Sequence, residues 1–171
     1  METTDSDKHW YVVLTRTNSE RKVRDYFQLQ EVDTFLPVQN RVIEREGKRI
    51  ERERLLLPRM VFVHISRQEM AAVRSTLNVY DFLRDRSTGA PTCIPDAQMA
   101  DFRYMLDYSQ DQVILTGESI PKGTRVVVAK GDLQGLRGEL VRYNNKYHIL
   151  VRIDMFGSAM VTIPASYVRK E

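Results

Sequence analysis

The sequence predicts an α+β fold in two parts: helices packed on a mostly antiparallel sheet in an α/β sandwich, and then a small all-β barrel. Three observations predict it. Helix and strand patterns alternate over residues 9–107, a polar segment that contains Gly117 follows, and only short β-branched runs separated by turns come after residue 120. We therefore expect one domain over residues 9–107, a linker over residues 108–119 and a second domain over residues 120–171.

The distribution of charge supports the same division. The 171 residues carry a net charge of +3. Residues 1–107 hold 17 basic and 17 acidic side chains, whereas residues 120–171 hold 9 basic and 4 acidic ones, which is a net charge of +5. The positive excess therefore belongs to the second part, where it would attract phosphate.

Several classes of protein are excluded by composition. Cys93 is the only cysteine, so neither an intramolecular disulfide nor a cysteine-rich zinc site is possible. The longest apolar stretch, Leu55–Ile65, contains Pro58 and Arg59 and is far shorter than the roughly 20 residues of a membrane-spanning helix. We expect a cytoplasmic protein with no metal and no cofactor, because the histidines are scattered and no nucleophile or phosphate loop is present.

A strand and a helix begin the first part. Residues His9–Thr15 are apolar, β-branched and aromatic, which is typical of a buried strand. Thr17 and Glu20 have the spacing of a capping box, which predicts that a helix begins there. One stripe of this helix is formed by Val23, Tyr26, Phe27 and Gln30.

A charged hairpin follows a short strand at Thr34–Val38. Its arms, Arg41–Glu46 and Arg49–Arg54, flank the turn signal Gly47-Lys48. Opposite charges alternate along the arms, so we expect cross-strand ion pairs on a solvated ribbon, each contributing about 0.2 to 1 kcal/mol. In the alternative interpretation, Lys48 and Arg49 at the tip contact phosphate groups.

The rest of the first part predicts two strands and two helices. Leu55–Ile65 is a strand that has Pro58 at its beginning or on an edge. Ser66 and Glu69 form a second capping box, and the helix that it opens carries Met70, Val73 and Leu77. Val79–Arg84 returns as a strand. A last helix over about Asp96–Tyr108 presents Met99, Phe102, Met105 and Leu106 on one face.

The second part contains only strand and turn patterns. Arg125–Ala129 is a β-branched run, and Leu140–Tyr143 with Tyr147–Ile153 predicts a hairpin. A three-residue loop would place Tyr143 opposite Tyr147 and Val141 opposite Ile149, with the apolar side chains on one face. Together with Val161–Ile163 and Tyr167-Val168, these runs predict a five-stranded barrel.

Several of these segments resemble one family. Three segments resemble the N-terminal (NGN) domain of NusG-type transcription elongation factors. They are Trp10-Tyr11-Val12-Val13, Leu56 to Val63, and Val73-Arg74-Ser75 before Val79-Tyr80-Asp81-Phe82. The second part resembles the SH3-like KOW barrel that follows the NGN domain in that family. The residues that carry this resemblance are Lys130-Gly131, Gly135, Gly138 and Met155-Phe156-Gly157. The resemblance extends over nearly the whole chain.

The resemblance implies a monomeric transcription factor that is not an enzyme. In the family, an apolar depression of the NGN domain binds the clamp helices of RNA polymerase and suppresses pausing and termination. Specialised relatives also contact the non-template DNA strand or nascent RNA, and the KOW domain recruits a ribosomal protein or a termination factor. The function would then be a shift of polymerase toward its moving state.

The segment after the charged hairpin departs from the family pattern. Leu57-Pro58-Arg59-Met60 stands where relatives often carry aromatic side chains around a proline and a glycine. This departure and the charged hairpin favour a specialised antiterminator, similar to the UpxY type of capsular polysaccharide operons. Two alternatives stay open: a general housekeeping NusG, and a ribosome-binding or RNA-binding KOW protein.

The resemblance also suggests site residues. For the polymerase-binding surface they are Trp10, Leu14, Leu57, Pro58 and Met60; the first two could equally belong to the core. For a nucleic-acid contact they are Arg16, Lys22 and Arg74 beside the first helix, with Lys48 and Arg49 on the hairpin. Phe156 is the candidate for the KOW partner, unless it lies in the barrel core.

Overall fold

The computed structural model describes residues 7–171 as thirteen strands and three α-helices. In chain order these elements are β1 (His9–Thr15), α1 (Glu20–Leu29), β2 (Asp33–Phe35), β3 (Val38–Arg45), β4 (Lys48–Leu55), β5 (Met60–Ile65), α2 (Met70–Arg74), β6 (Val79–Phe82), β7 (Cys93–Ile94), α3 (Asp96–Tyr108), β8 (Ile114–Thr116), β9 (Thr124–Val128), β10 (Arg137–Tyr143), β11 (Lys146–Ile153), β12 (Gly157–Thr162) and β13 (Val168–Lys170). The sheets are antiparallel, and the predicted α+β class is confirmed.

Contacts divide the chain into two units. The first comprises the described residues up to Pro37 together with Leu55–Asp96, and the second comprises Val38–Arg54 together with Ala97–Glu171. This division differs from the one predicted from the sequence, because the charged hairpin and α3 group with the C-terminal strands. None of the helices in the described part of the chain is both long and apolar enough to cross a membrane.

The sheet of the first unit is built around β1 and β5. Its strand order is β2-β5-β1-β6, and β7 also pairs with β1. The side chains of Val12 and Val13, which point to opposite faces of β1, are both fully buried, as are Val61 and Phe62 on β5. Burial on both faces explains why these two strands are continuous apolar runs in the sequence.

The first helix begins two residues later than the predicted capping box would place it, and by another mechanism. α1 starts at Glu20, yet the capping box predicted at Thr17 is wrong, because the Glu20 carboxylate accepts a hydrogen bond from the backbone N–H of Arg59 instead. Val23 and Phe27 are buried as expected, whereas Tyr26 is 47% exposed. The actual apolar stripe is therefore narrower than the predicted one.

The second helix is shorter than predicted. Glu69 accepts a hydrogen bond from the backbone N–H of Ser66 at 2.9 Å, which is the expected contact of the capping box. A turn of 3-10 helix follows, and α2 then ends at Arg74. The placement of Leu77 in this helix is wrong, since Leu77 lies beyond it and is 83% exposed. The third helix has the predicted bounds, and its four predicted core residues are buried.

The predicted strand Leu55–Ile65 is divided at Pro58 and Arg59. Leu55 ends β4, and β5 begins only at Met60. Pro58 has no N–H to donate, and Arg59 adopts a left-handed conformation with φ of 66°. Two successive residues that cannot continue the ladder therefore form a turn.

The charged hairpin is a separate two-stranded ribbon of β3 and β4. Glu46 and Gly47 form its two-residue turn, with φ values of 54° and 74°, which is the positive-φ geometry of a type I′ turn. From the length of this turn we infer that Arg45 lies opposite Lys48 and Arg41 opposite Arg52. The predicted cross-strand ion pairs are wrong at these positions, because like charges lie opposite each other.

The sheet of the second unit has six strands rather than the five predicted for the barrel, in the order β13-β9-β10-β11-β12-β8. The additional strand, β8, comes from the segment that was predicted to be a linker, and it pairs with β12. The interior is formed by apolar side chains of the central strands, including Ile149, Leu150 and Met160.

The predicted register of the β10–β11 hairpin is wrong by one residue. Tyr143 pairs with Lys146, and Val141 pairs with His148. Asn144 and Asn145 form a two-residue turn with φ values of 50° and 63°, a conformation that asparagine tolerates well. His148 is buried at 3% exposure, and its ring nitrogens lie 3.0 Å from Lys146 O and 3.2 Å from Thr162 Oγ1.

An ion pair between the half-buried Arg152 and the buried carboxylate of Glu139 joins β10 to β11. Arg152 Nε lies 2.7 Å from Glu139 Oε2, and Arg152 Nη2 donates to Glu139 Oε1 at 3.1 Å. Gly123 N–H also donates to this carboxylate, and Arg152 donates to Ile120 O at 2.9 Å. The hydrogen bond from Arg152 is the main reason that the pKa of Glu139 is lowered in the folded protein.

We predict that Glu139→Gln lowers the free energy of unfolding at pH 7 by about 1 to 3 kcal/mol. Because the pKa of Glu139 is depressed on folding, its stabilising contribution is complete above the ordinary carboxyl pKa of about 4.3 and is lost as the pH falls through the folded value. The difference between variant and wild type should therefore shrink in acid. Urea unfolding between pH 3 and 8 measures this difference in the free energy of unfolding, and Glu118→Gln, at an exposed position, is the control. A difference between Glu139→Gln and wild type that does not change with pH would contradict the prediction.

Gly157 is required by the close approach of β8 to β12. Its φ is 94°, and a Cβ at this position would collide with the carbonyl oxygen of Thr116. We predict that Gly157→Ala destabilises the second unit by about 1 to 3 kcal/mol. Gly117→Ala is the matched control, since a Cβ there meets nothing within 4 Å. Equal urea midpoints for the two variants would refute this account.

Candidate functional site

The turn before β5 is fixed by a buried carboxylate. Glu20 is only 4% exposed, and its Oε1 accepts a hydrogen bond from Arg59 N–H at 2.9 Å. A non-glycine residue with positive φ is uncommon and must be compensated by its surroundings. Glu20 supplies that compensation, because an ionised acceptor makes a strong hydrogen bond to a backbone N–H.

The same turn is also tied to the end of β1. Thr15 N–H donates to Arg59 O at 2.9 Å, and Arg59 Nε lies 3.3 Å from Thr15 O. The turn is thus held from two sides, by the first residue of α1 and by the last residue of β1. Leu57 and Pro58, directly before Arg59, are positioned by this rigid attachment.

An accessible apolar patch lies beside this turn. Leu14 on β1 pairs with Met60 on β5, so that both side chains lie on the same face of the sheet. Leu14, Leu57 and Met60 are half-buried, and Pro58 is exposed. Leu57 and Pro58 directly precede Arg59 in the turn. We call these four residues the apolar patch; they are four of the five that the sequence suggested for polymerase binding.

Trp10 lies on the same face of the sheet but at its other end. It pairs with His64, and the two rings are 5.0 Å apart between centroids. Four residues of strand separate it from Leu14, which corresponds to about 13 Å. Trp10 is only 6% exposed, so it supports the sheet from within and presents little surface to a partner.

A charged cluster borders the patch on β6. Asp81 pairs with Leu14 across the strands and forms ion pairs with Arg84 at 3.2 Å and with Arg74 at 3.3 Å. Hydrogen bonding to Arg84 is the main cause of the lowered pKa of Asp81. Arg74, a candidate for nucleic-acid binding, therefore has an internal anionic partner.

Arg16 and Lys22 lie near a groove between α1 and α2. The groove has a volume of about 410 Å³, and its lining includes Lys22, Tyr26 and Leu77. The backbone N–H of Arg16 donates at 3.0 Å to the carbonyl of Asn78, which also lines the groove. Both cationic side chains are exposed.

Sequence reasoning missed the exposed apolar side chains of this groove. Tyr26 and Leu77 were assigned to helical stripes that face the core, yet they are 47% and 83% exposed. A helical pattern places a side chain only to within one position on the helix surface, so the error at Tyr26 is small in angle. The available signal for Leu77 was the Asn78 that follows it, which is a typical residue for positive φ and has φ of 70°.

The remaining candidates belong to the second unit. Lys48 and Arg49 are exposed at the beginning of β4. Phe156 is half-buried in the turn between β11 and β12, next to Met155, which is 50% exposed and has φ of 73°. Gln98 of α3 exchanges two hydrogen bonds with Asp154 of this turn, at 2.7 and 3.1 Å. The described residues contain no group of three or more His, Cys, Asp or Glu side chains that could hold a metal ion.

Comparisons with known proteins point to one family. The family model described as "Transcription termination factor nusG" matches residues 8–103. A solved structure concerning domain interaction in Thermotoga maritima NusG has a TM-score of 0.51 and 19% identity, and the match covers 98% of this chain and 99% of that one. Its similarity therefore concerns the fold alone.

Two further solved structures match less well. Conformations A and B of the MjSpt4:Spt5 complex give TM-scores of 0.31 and 0.33, with 14% and 15% identity. The matches cover 95% and 94% of this chain, and 97% and 95% of those chains. A search of curated proteins found no match.

The attachment of the turn gives a testable prediction. Glu20→Ala removes the buried acceptor of Arg59 N–H, and we expect it to lower the free energy of unfolding by about 1 to 3 kcal/mol. Trp10 is the only tryptophan and lies in the first unit, so its fluorescence during urea unfolding measures that unit. Gln28→Ala, at an exposed position of α1, is the control. An unchanged midpoint for Glu20→Ala would show that the turn does not depend on this contact.

Proposed function

The chain belongs to the NusG family of transcription factors, and from this premise we propose that it binds RNA polymerase and suppresses pausing and termination. The first unit would bind the clamp helices of the polymerase, the partner that the resemblance to the family implies. This function requires no enzymatic chemistry and no cofactor, and it places the protein in the cytoplasm as a monomer.

The apolar patch is the observation that supports this proposal most strongly. Leu57 and Pro58 offer apolar surface on a turn that Glu20 and Thr15 hold in place, and Leu14 and Met60 offer apolar surface on the adjoining strands. Exposed apolar patches on a folded domain mark sites of protein interaction, and a rigid patch loses little conformational entropy on binding. A pair of helices with apolar side chains is a suitable partner for such a surface.

Binding of this kind would change transcription by a shift of populations. A factor that binds moving polymerase tenfold more tightly than paused polymerase stabilises the moving state by about 1.4 kcal/mol. Equal affinity for both states would change nothing, however tight the complex. The proposal therefore concerns a difference in affinity between two states of the polymerase.

A nucleic-acid contact beside α1 is a second component of the proposal. Arg16 and Lys22 offer exposed positive charge near the groove, and exposed Tyr26 offers an aromatic face on which a base can stack. Such a site suits the single non-template DNA strand or nascent RNA. Arg74 contributes less, because its ion pair with Asp81 would have to be exchanged for phosphate.

The second unit is proposed to recruit a further protein, either a ribosomal protein or a termination factor. Phe156 would be central to that contact, next to the exposed side chain of Met155. Fixation of the neighbouring Asp154 by Gln98 supports this proposal, because it limits the freedom of the turn before binding.

We further propose that the protein is a specialised, operon-specific antiterminator of the capsular polysaccharide type rather than a housekeeping NusG. Aliphatic side chains, Leu57 and Met60, occupy the positions at which the family often has aromatic rings. The charged hairpin is the other supporting feature. Both features change surfaces and leave the core of the fold intact.

A second candidate function is RNA or ribosome binding through residues 120–171. The observation that favours it is the net charge of +5 on this segment. Affinity that depends on phosphate contacts falls steeply with added salt, since each neutralised phosphate releases counterions.

Co-purification with core RNA polymerase tests the leading proposal. We expect the wild-type protein to be retained by the polymerase, and the double variant Leu57→Asp with Met60→Asp to lose at least about tenfold in affinity, because two charges would enter an apolar interface. Leu29→Asp is the matched control: Leu29 is 81% exposed and lies outside the patch, so this variant should bind normally.

Two results would overturn the proposal. The first is an absence of polymerase binding by the wild type. The second is an equal loss of binding in the control variant, which would show that the patch is not specific. If the wild type binds no polymerase but binds RNA with a steep salt dependence, the second candidate function replaces the first.

A further inference from the structure

The charged hairpin has two faces of opposite charge. Side chains on a strand alternate between faces, and the two-residue turn places Arg45 opposite Lys48. One face, which we call the basic face, therefore carries five cations and no carboxylate: Arg41, Arg45, Lys48, Arg52 and Arg54. The opposite face carries Glu44, Glu51 and Glu53, with Arg49 as its one cation.

Contacts at the base of the hairpin support this register. Gln39 and Arg54 are opposite each other in it, and both reach the same short segment of the second unit. Gln39 Nε2 donates to Asp111 O at 2.7 Å, and Arg54 Nη2 donates to Val113 O at 2.8 Å. Val113 N–H donates in return to Gln39 Oε1 at 2.8 Å. The two side chains therefore lie on one face, as the turn requires.

The basic face is electrostatically unfavourable in the isolated protein. Arg45 lies opposite Lys48 and Arg41 opposite Arg52, and like charges directly opposite each other destabilise a strand pair. None of the ion pairs in the described part of the chain involves these four side chains. Asp111 is the acidic residue in the cleft of about 230 Å³ that Arg41 and Arg54 also line. A polyanion would relieve the repulsion along the rest of the face.

The spacing of the cations favours a duplex. The pair Arg41 and Arg52 is separated from the pair Arg45 and Lys48 by Ile43 and Ile50, which corresponds to about 13 Å along the strands. The major groove of B-form DNA is about 12 Å wide and admits a two-stranded ribbon. The major groove of an A-form RNA duplex is deep and narrow, and side chains do not read it.

We propose that the basic face of the β3–β4 hairpin binds duplex DNA, with its two pairs of cations on backbone phosphates and the isoleucine pair between them toward the groove. This inference deepens the nucleic-acid component of the proposed function, and it changes the residues that carry it. The sequence suggested a contact by the hairpin tip through Lys48 and Arg49. The geometry separates these neighbours: Lys48 belongs to the basic face and Arg49 does not.

Fluorescence anisotropy with a labelled 30-base-pair DNA duplex of arbitrary sequence, between 50 and 200 mM salt, tests the proposal on the full-length protein. We expect the wild-type protein to bind the duplex. A plot of the logarithm of its association constant against the logarithm of salt concentration should have a slope of roughly −3 to −4, which corresponds to about four phosphate contacts. Arg45→Gln with Arg52→Gln should reduce the magnitude of this slope by about 2 and weaken binding by roughly tenfold or more at 100 mM salt.

The matched control is Arg49→Gln with Lys146→Gln. This control removes the same net charge. Arg49 lies on the face of the hairpin opposite the basic face, and Lys146 is an exposed residue of β11. We expect less than a twofold change in affinity for this control. We also expect the Arg45→Gln, Arg52→Gln variant to unfold at an equal or higher temperature than wild type, since the removed charges repel their neighbours.

Several outcomes would overturn the proposal. They are no duplex binding by the wild type, an equal loss in the control, and equal or tighter binding of an RNA duplex or a single strand of the same sequence. The proposal would also be contradicted if the Arg45→Gln, Arg52→Gln variant lost DNA binding and melted at a lower temperature than wild type, because unfolding would then account for the loss. The experiment contains no polymerase, so its failure is distinguishable from a failure of the proposed polymerase binding, which rests on the other unit.

Discussion

The hydrogen bond from Arg59 N–H to the buried Glu20 carboxylate is the contact on which the candidate surface of the first unit depends. It joins the beginning of α1 to the turn before β5, 39 positions away in the sequence, and the hydrogen bond from Thr15 N–H joins the end of β1 to the same turn. A carboxylate with 4% exposure is costly to bury unless its oxygens accept hydrogen bonds, and a left-handed arginine is costly unless its backbone is fixed. The N–H of Arg59 satisfies the buried carboxylate of Glu20, and that carboxylate in turn fixes the backbone of Arg59. The apolar patch lies directly beside this turn.

In the second unit, too, a buried carboxylate is satisfied by hydrogen bonds, here between two strands. Glu139 and Arg152 are directed toward each other from β10 and β11, and the backbone groups of Gly123 and Ile120 occupy part of their remaining hydrogen-bonding capacity. The basic face of the β3–β4 hairpin shows the contrary arrangement, because on that face Arg45 lies opposite Lys48 and Arg41 lies opposite Arg52. Removal of one partner from an internal ion pair leaves the other charge uncompensated and destabilises the fold, whereas like charges that lie opposite each other are stabilised by a ligand of opposite charge. This contrast separates the structural charges of the chain from those we assign to function.

The elements that the sequence predicted well are those in which local pattern and tertiary environment agree. α3 has the predicted bounds and its four predicted core residues, because an amphipathic helix of thirteen residues is determined mainly by its own periodicity. The register of β10 and β11 was mispredicted because it was argued from one apolar face, whereas His148 is also buried and is satisfied by hydrogen bonds. The capping box at Thr17 failed for a similar reason, since the side chain of Glu20 is taken by a residue 39 positions away. Of the candidate site, Leu14, Leu57, Pro58 and Met60 are proposed from the sequence, whereas the faces of the hairpin follow only from its turn geometry.

The two proposed surfaces would reinforce each other through the chain that connects them. Duplex binding through a few phosphate contacts is weak by itself, with a dissociation constant of roughly 10 µM at moderate salt. When one surface is already bound, the other meets its target at an effective concentration that is about 1 mM for a short connection, so a contact of this strength would tighten the whole complex by roughly 100-fold. A polymerase that holds a DNA duplex offers both targets at once, whereas free DNA offers one. Under these two proposals the basic face would favour polymerase that is engaged on DNA without reading any base sequence. The proposed operon specificity would then require another contact, for which the groove beside α1 is the available candidate.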